Sequence, residues 1–299
     1  MCGIVGLFLK NRELESRLGM HLESMLITMS DRGPDSAGIA IYGADHQKDQ
    51  LKLTLQSAAA KDVFPKLEQA LTSRFSQPVN INVIETHAVL QMDQAIAPAV
   101  EEMVALEFPG LRIMSRGESV EIYKEVGAPS DVSRRFGIAQ MSGSHGIGHT
   151  RMATESAVTT RGAHPFSTGP DQCLVHNGSL SNHNNLRRDL KRHGVHFETE
   201  NDTEVAAAYL SHHLASGLTL GDALEGALTD LDGFYTFVFS TRTGFGVLRD
   251  PIACKPAVLA ETDDYVAFGS EYRALVALPG IEHATVWEPE PATVYFWEH

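Results

Sequence analysis

The chain has 299 residues, of which 43% are hydrophobic and 21% charged, and its formal net charge is -14. This is the composition of a globular protein with one large domain or two small ones. The acidic balance and the lack of a basic stripe exclude non-specific nucleic-acid binding, and without a long apolar segment no membrane span is expected.

Cysteine usage and the first residues bear on the cellular compartment. Cys2, Cys173 and Cys254 are scattered and show no zinc-type Cys-x-x-Cys spacing, which favours a reducing environment without disulfides or a metal site. The first ten residues do not form a secretory signal. We therefore expect a cytoplasmic protein. No GxGxxG or P-loop arrangement occurs, so no cofactor is expected in this chain.

A cysteine directly follows the initiator methionine. Removal of Met1 would leave Cys2 with a free α-amine beside its own thiol, which places a nucleophile and a base on one residue. A free α-amine titrates near ~7.7–8.0 and a thiol near ~8.5, both close to neutral pH. The apolar run 4–9 predicts a buried strand that pins this chain end. The pattern is typical of N-terminal-nucleophile amidohydrolases, although a chance cysteine on an edge strand fits these residues equally well.

The next stretch contains a helix, a tight loop and a second strand. Apolar residues at helical spacing predict an amphipathic helix over 12–30, and the Gly- and Pro-containing loop 31–38 leads into a strand over 39–42. If this strand pairs with the first, Arg32 would place a charge near the amino terminus. A purely structural loop arginine is an equally good reading.

Residues 44–145 have a different character, with alternating strands, helices and no catalytic constellation. They predict a small α/β insertion within a domain that covers 1–299. The predicted elements are a strand at 51–55, a helix at 58–75, a strand at 79–84, a helix at 95–106 and a hairpin of 111–115 with 120–123.

Side chains that could bind substrate or take part in catalysis occur again from residue 145 onward. A short Gly-flanked strand delivers Arg151, with the hydroxyl of Thr154 three residues later, and arginine can grip a carboxylate through two parallel hydrogen bonds. A further strand runs into Asn177-Gly178. A side-chain amide next to a glycine N–H supplies the parts of an oxyanion hole. The same dipeptide also forms ordinary turns.

The last part of the chain alternates helices with short strands. The basic helix 184–193 is read as a solvated face, and Asn201 or Asp202 can cap the helix 205–214. The short, turn-bounded strands that follow predict a mostly antiparallel sheet.

Six segments together resemble the class II glutamine amidotransferases, whose glutaminase domains have an N-terminal nucleophile. They are Cys-Gly-Ile-Val-Gly at 2–6, Arg-Gly-Pro-Asp-Ser-Ala-Gly at 32–38, Gly-His-Thr-Arg at 148–151, Ala-His-Pro-Phe at 163–166, His-Asn-Gly at 176–178 and Asn-Asp-Thr-Glu-Val at 201–205. Each is weak alone, but six in family order are specific. The resemblance implies an α+β fold, a four-layer αββα sandwich of antiparallel sheets that carries the α/β insertion.

The resemblance also implies roles for individual residues. Cys2 would be the nucleophile, with its α-amine as base, and Asn177 with Gly178 would form the oxyanion hole. The glutamine α-carboxylate would bind Arg151 and its α-ammonium Asp202. Thr154 would line the substrate site, while Arg32 and His164 would play supporting roles. Met152 and Glu155 depart from the pattern of the family's sugar-linked branch.

We therefore expect a glutaminase that splits L-glutamine through a Cys2 thioester and passes ammonia to a partner. The chain ends where the family's synthase domain would begin, and its motifs are most similar to the amidotransferase subunit of glutamate synthase-like complexes, such as N-methylglutamate synthase. That resemblance implies synthase partners of the glutamate synthase type, which bear flavin or iron–sulfur groups. Two alternatives remain open: a hydrolase of another amide, and a catalytically silent regulatory subunit.

Overall fold

The computed structural model describes residues 2–43, 49–153 and 157–299. Thr154 and Glu155 lie outside the described residues. The strands are β1 (Gly3–Leu9), β2 (Ser36–Tyr42), β3 (Gln50–Gln56), β4 (Asn80–Ile84), β5 (His87–Asp93), β6 (Arg112–Gly117), β7 (Val120–Val126), β8 (His145–Arg151), β9 (Phe166–Gly169), β10 (Gln172–Leu180), β11 (Gly233–Ser240), β12 (Gly244–Arg249), β13 (Val258–Glu261), β14 (Tyr265–Gly269), β15 (Thr285–Trp287) and β16 (Thr293–Glu298). The α-helices are α1 (Leu18–Thr28), α2 (Ala60–Arg74), α3 (Ala97–Glu107), α4 (Pro129–Phe136), α5 (His183–Arg192), α6 (Asp202–Ala215) and α7 (Leu220–Asp230). Short 3-10 helices cover Arg12–Arg17, Ile138–Gln140, Tyr272–Ala274 and Ile281–His283.

Two antiparallel sheets form the centre of the molecule. One has seven strands in the order β15-β13-β14-β1-β8-β2-β7, and the other has five in the order β16-β12-β11-β10-β9. An apolar cluster from both sheets fills the space between them. Helices α1 and α4 cover the outer face of the larger sheet, and α6 and α7 cover that of the smaller one. The layers thus run helix, sheet, sheet, helix, as the resemblance implied.

Strand β1 lies inside the larger sheet and is hydrogen-bonded on both sides. Its residues pair with β14 on one edge and with β8 on the other. Ile4 and Phe8 face the inter-sheet core, whereas Val5, Leu7 and Leu9 pack toward the helical layer. Burial of both faces explains why the strand reads as a continuous apolar run. β1 and β2 do not pair with each other, because β8 lies between them.

A smaller unit spans β3 to β6. Its four strands have the order β4-β5-β3-β6, and α2 and α3 share one apolar cluster with them, which is a β-α-β-β-α-β arrangement. The unit is shorter than the predicted insertion 44–145, because β7 pairs with β2 over seven residues in the larger sheet. The predicted hairpin of 111–115 with 120–123 is wrong for the same reason: β6 pairs with β3 in the other sheet. Across the described ranges, the helices are too short or too polar to cross a membrane.

Candidate active site

One cavity of about 800 Å³ collects residues that are far apart in the sequence. The predicted site residues in its wall are Cys2, Arg151, His164, Asn177, Gly178 and Asp202. Arg32 contacts the backbone of Cys2. The predicted substrate-site residue Thr154 falls outside the described residues. The fold therefore brings together the described members of the predicted set.

The backbone of Cys2 is held by two side chains. Its carbonyl oxygen accepts hydrogen bonds from Arg32 Nε at 2.9 Å and from Asn177 Nδ2 at 3.2 Å. The next residue, Gly3, already pairs with Thr150 in β8. The Cys2 thiol borders the cavity, with Sγ 3.9 Å from the carbonyl oxygen of Met152. The chain start is thus fixed through the peptide group of Cys2, and this residue lines the cavity.

Arg32 reaches the chain start from the loop before β2. Its side chain is 8% exposed, and Nη1 lies 2.6 Å from Glu271 Oε1. The Arg32 hydrogen bond lowers the pKa of the Glu271 carboxyl, and Arg273 acts in the same direction from 2.7 Å. The loop comes close because β2 and β1 flank the same strand, β8. An ionised acid on one side thus orients the guanidinium toward Cys2.

Arg151 is the last residue of β8 and supplies a cation to the cavity. It is 9% exposed, and Nη1 lies 3.5 Å from the carbonyl oxygen of Ala157. A Cβ added to Gly162 would lie 3.2 Å from the same Nη1, so the loop passes close to the guanidinium. A planar cation at a cavity wall is suited to a carboxylate ligand.

Asp202 supplies the anion of the cavity, and it is not the residue that caps α6. Asn201 is the capping residue of α6, because its Oδ1 accepts the N–H of Thr203 at 2.8 Å. Asp202 Oδ2 instead accepts the N–H of Leu180 at 2.9 Å. Its position in the first turn is favourable for a negative charge. Asp202 Oδ1 accepts a longer hydrogen bond, at 3.5 Å, from the hydroxyl of Thr203, so the carboxylate is held at the edge of the cavity mainly through Oδ2.

Asn177 and Gly178 lie near the end of β10. Gly178 has φ +139°, and an added Cβ would lie 2.0 Å from the carbonyl oxygen of Phe234, so only glycine fits. Asn177 is buried, and its carboxamide donates one N–H to Cys2. An amide carries a second N–H. The predicted oxyanion role would use that group and remains a prediction.

Two buried histidines contact Thr203 beside the cavity and a third, His149, packs against them, an arrangement that sequence reading missed. Thr203 Oγ1 lies 3.0 Å from His176 Nδ1 and 3.1 Å from His164 Nε2, and His149 Nε2 lies 3.1 Å from the carbonyl oxygen of His176. Burial lowers the pKa of His149 to about 3, and it also lowers the pKa values of His164 and His176. Burial thus favours the uncharged form of all three rings. Asp202 contacts this cluster, since its Oδ1 lies 3.8 Å from His176 Nδ1, and its charge raises the pKa of His176 against the larger effect of burial.

Lys124 secures the turn that carries His164. Its buried ammonium donates to the carbonyl oxygens of Ala163 at 2.8 Å and Pro165 at 2.9 Å, on either side of that histidine, and it lies 4.5 Å from the ring centroid of Phe166. Burial lowers the Lys124 pKa to about 7. No sequence motif marks this residue, because it lies in β7, inside the predicted insertion 44–145. Among the described residues, no group of His, Cys, Asp and Glu side chains forms a metal site.

One predicted surface position is wrong. The basic pattern of helix 184–193 predicts a solvated Arg187, but its side chain is 5% exposed. It donates to the carbonyl oxygens of Thr199 and Asn201 in the loop before α6. Its neighbour Arg188 is exposed, as expected.

Comparison with known proteins gives family matches along the whole chain. Residues 149–277 match the family model of a glutamine amidotransferase domain. The chain is 65% identical over 299 residues to the glutamine amidotransferase-like protein GlxB of Rhizobium meliloti, with 100% of this chain and 99% of that protein covered. It is 34% identical over 160 residues to the glutamine–fructose-6-phosphate aminotransferase (isomerizing) of Shewanella oneidensis, which covers 52% of this chain and 26% of that protein.

A solved structure supports the fold. The glutamine phosphoribosylpyrophosphate amidotransferase from B. subtilis, solved with ADP and GMP, aligns with a TM-score of 0.63 at 20% identity over 99% of this chain. The alignment spans 47% of that protein, so this chain corresponds to about half of its length. The predicted layered α+β sandwich is confirmed.

Proposed function

The chain belongs to the class II glutamine amidotransferases, and we propose that it hydrolyses the side-chain amide of L-glutamine through Cys2 and releases ammonia for a partner synthase. The cavity is the observation that carries this proposal. It places the Cys2 thiol in one wall together with a cation, Arg151, and an anion, Asp202. A free amino acid needs one fixed charge of each sign, and glutamine adds a side-chain amide that can reach the thiol.

The proposed reaction uses Cys2 as both nucleophile and proton carrier once Met1 is removed. The α-amine takes the thiol proton, Sγ attacks the amide carbon, and the carbonyl oxygen becomes an oxyanion. Asn177 and Gly178 would stabilise that oxyanion, and each such donor contributes roughly 2.7–4 kcal/mol in comparable sites. The amine then protonates the leaving nitrogen, so ammonia departs and a γ-glutamyl thioester remains. Water attacks the thioester and releases glutamate and the thiol.

Mass spectrometry before and after treatment with diazo-oxo-norleucine, a glutamine-like alkylator, tests the proposal. We expect loss of Met1 and one adduct on Cys2, and glutamine should protect against labelling. Cys254 is exposed and is not one of the residues that line the cavity, although its neighbour Lys255 is, and it provides a matched control. Cys254→Ala should label and hydrolyse glutamine normally, whereas Cys2→Ala should do neither. An unlabelled wild-type Cys2, or a Cys2→Ala protein with full activity, would refute the proposal.

The two other candidate functions predict different results. A hydrolase of fatty or aromatic amides would need neither Arg151 nor Asp202, so comparing glutamine with an acylated amide separates it from a glutaminase. A silent regulatory subunit would bind its partner but would not react with the alkylator. The charged pair in the cavity favours glutamine over both.

We further propose that the ammonia acceptor belongs to a glutamate synthase-like partner that bears flavin or iron–sulfur groups. The support is the motif similarity of this chain to amidotransferase subunits of such complexes. Purification of the complex from the native host tests this point. We expect a stoichiometric partner with flavin or iron–sulfur absorbance and glutamine-dependent amino transfer. A colourless partner would refute this proposal while leaving the glutaminase intact.

A further inference from the structure

The loop 197–201 is held by a buried arginine from α5. Arg187 Nη1 donates to the carbonyl oxygen of Thr199 at 2.6 Å, and Nη2 donates to that of Asn201 at 3.2 Å. The guanidinium also lies 4.8 Å from the ring centroid of Phe197. Its Nε is 3.8 Å from Glu200, but that carboxylate is 90% exposed, so the ion pair adds little. The charge of Arg187 is therefore directed mainly at loop carbonyls.

A buried acid from α6 holds the same loop from its other end. Glu204 Oε1 accepts the N–H of Glu198 at 2.7 Å, and Oε2 accepts the N–H of Thr199 at 2.8 Å and its hydroxyl at 2.5 Å. Glu204 is 5% exposed. Hydrogen bonds to a charged group are about twice as strong as neutral ones, so both contacts resist movement of the loop.

The loop connects these contacts to the anion of the site. Residues 198–201 form part of the cavity wall, and Asp202 follows directly. Asn201 receives the Arg187 hydrogen bond on its carbonyl and caps α6 with its side chain. The position of the Asp202 backbone is thus defined by Arg187 on one side and by the helix on the other.

We propose that Arg187 and Glu204 act as positioning residues that set Asp202 for the α-ammonium of glutamine. This inference rests on the proposed glutaminase function. Neither residue needs to touch the substrate. Without them, Asp202 would lose its fixed place relative to Arg151, and recognition of the amino-acid end of glutamine would weaken.

A double-mutant cycle on glutamine hydrolysis tests the inference. Arg187→Met should lower kcat/KM by roughly tenfold to a hundredfold, mainly through KM, because two charge-assisted hydrogen bonds are lost. The same change in an Asp202→Asn background should have almost no further effect, since its target has already been removed. Arg187→Lys keeps the charge and can still reach one carbonyl, so it should fall between wild type and Arg187→Met. Arg188→Met is the matched control on the same helix and should behave as wild type.

The outcomes separate this inference from the function on which it depends. A wild-type protein that does not hydrolyse glutamine contradicts the proposed function itself. An active wild type in which Arg187→Met is equally harmful with and without Asp202 contradicts the positioning role, because a general structural effect would be additive. If Arg187→Met does not fold, Glu204→Gln serves in the same cycle, since it has the same shape and retains one acceptor. Additive losses there would overturn the inference in the same way.

Discussion

The contact between Arg32 and the carbonyl of Cys2 gives a sharp test of how the chain start is held. Arg32→Met keeps the apolar stem and removes the donor that lies 2.9 Å from that carbonyl. A hydrogen bond from a charged donor contributes about 1.5–3 kcal/mol. If this energy holds the nucleophile in its reactive place, kcat/KM for glutamine should fall about 10- to 100-fold. Arg32→Met should keep measurable activity, because Asn177 still donates to the same carbonyl.

Arg273→Met is the matched control for this change. Arg273 pairs with the same Glu271, at 2.7 Å, but is 43% exposed and has no hydrogen bond to Cys2. Global stability should change little in either variant, because Glu271 is one-third exposed and keeps one arginine. Steady-state glutaminase assays and thermal unfolding of both proteins measure these effects. Equal activity in Arg32→Met and wild type, or an equal loss in Arg273→Met, would refute the reasoning.

Three further predictions concern stability. Gly178→Ala should lower the free energy of unfolding, measured by chemical denaturation, by about 4 kcal/mol or more, because its Cβ would meet the backbone of Phe234. Gly194→Ala is the control: it also has a positive φ (+86°) but lies in open space, so it should cost about 1–2 kcal/mol. Similar costs for the two variants would contradict the clash. For His149, the folded-state pKa of about 3 lies below the ordinary value of 6.5, so the unfolded chain binds more protons between them. The free energy of unfolding should therefore drop as pH falls through that window, by up to about 1.4 kcal/mol per pH unit. When it is measured by urea unfolding at several pH values, its dependence on pH should be weaker in His149→Gln than in wild type. An unchanged pH dependence would argue against a buried neutral ring. Cys2→Ala should unfold at the wild-type temperature, and a large drop would mean that its loss of activity is not chemical.

Much of the site could be predicted because its residues belong to short segments with distinct chemistry. Cys2 and Asp202 lie at the start of a strand and of a helix, whereas Arg151 and Asn177 lie at or near the end of a strand. The layered fold brings these positions to one cavity. The roles of the individual residues remain predictions. The sequence alone could not separate Asn201 from Asp202 as the helix cap, since both residue types accept an N–H equally well.

The features that the sequence did not predict correctly all depend on tertiary packing. Arg187 and Arg188 are adjacent in a basic helix, and nothing in their composition reveals that one turns inward to satisfy loop carbonyls. The predicted hairpin near Gly117 failed because β6 and β7 run into different sheets. Local alternation identifies strands but not their partners. The contacts around Thr203 were missed although the residues that make them lie in the recognised motifs, since a motif does not show which of its side chains meet those of another.

The double pairing of β1 has a practical consequence for anyone handling this protein. Amides from Val5 to Phe8 are enclosed between two neighbouring strands, so their deuterium uptake should be as slow as that of the most protected part of the molecule. Under the proposed mechanism, which uses the free α-amine of Cys2, an affinity tag fused ahead of Cys2 would block that amine and abolish activity. Expression vectors for activity work should therefore carry the tag at the other end.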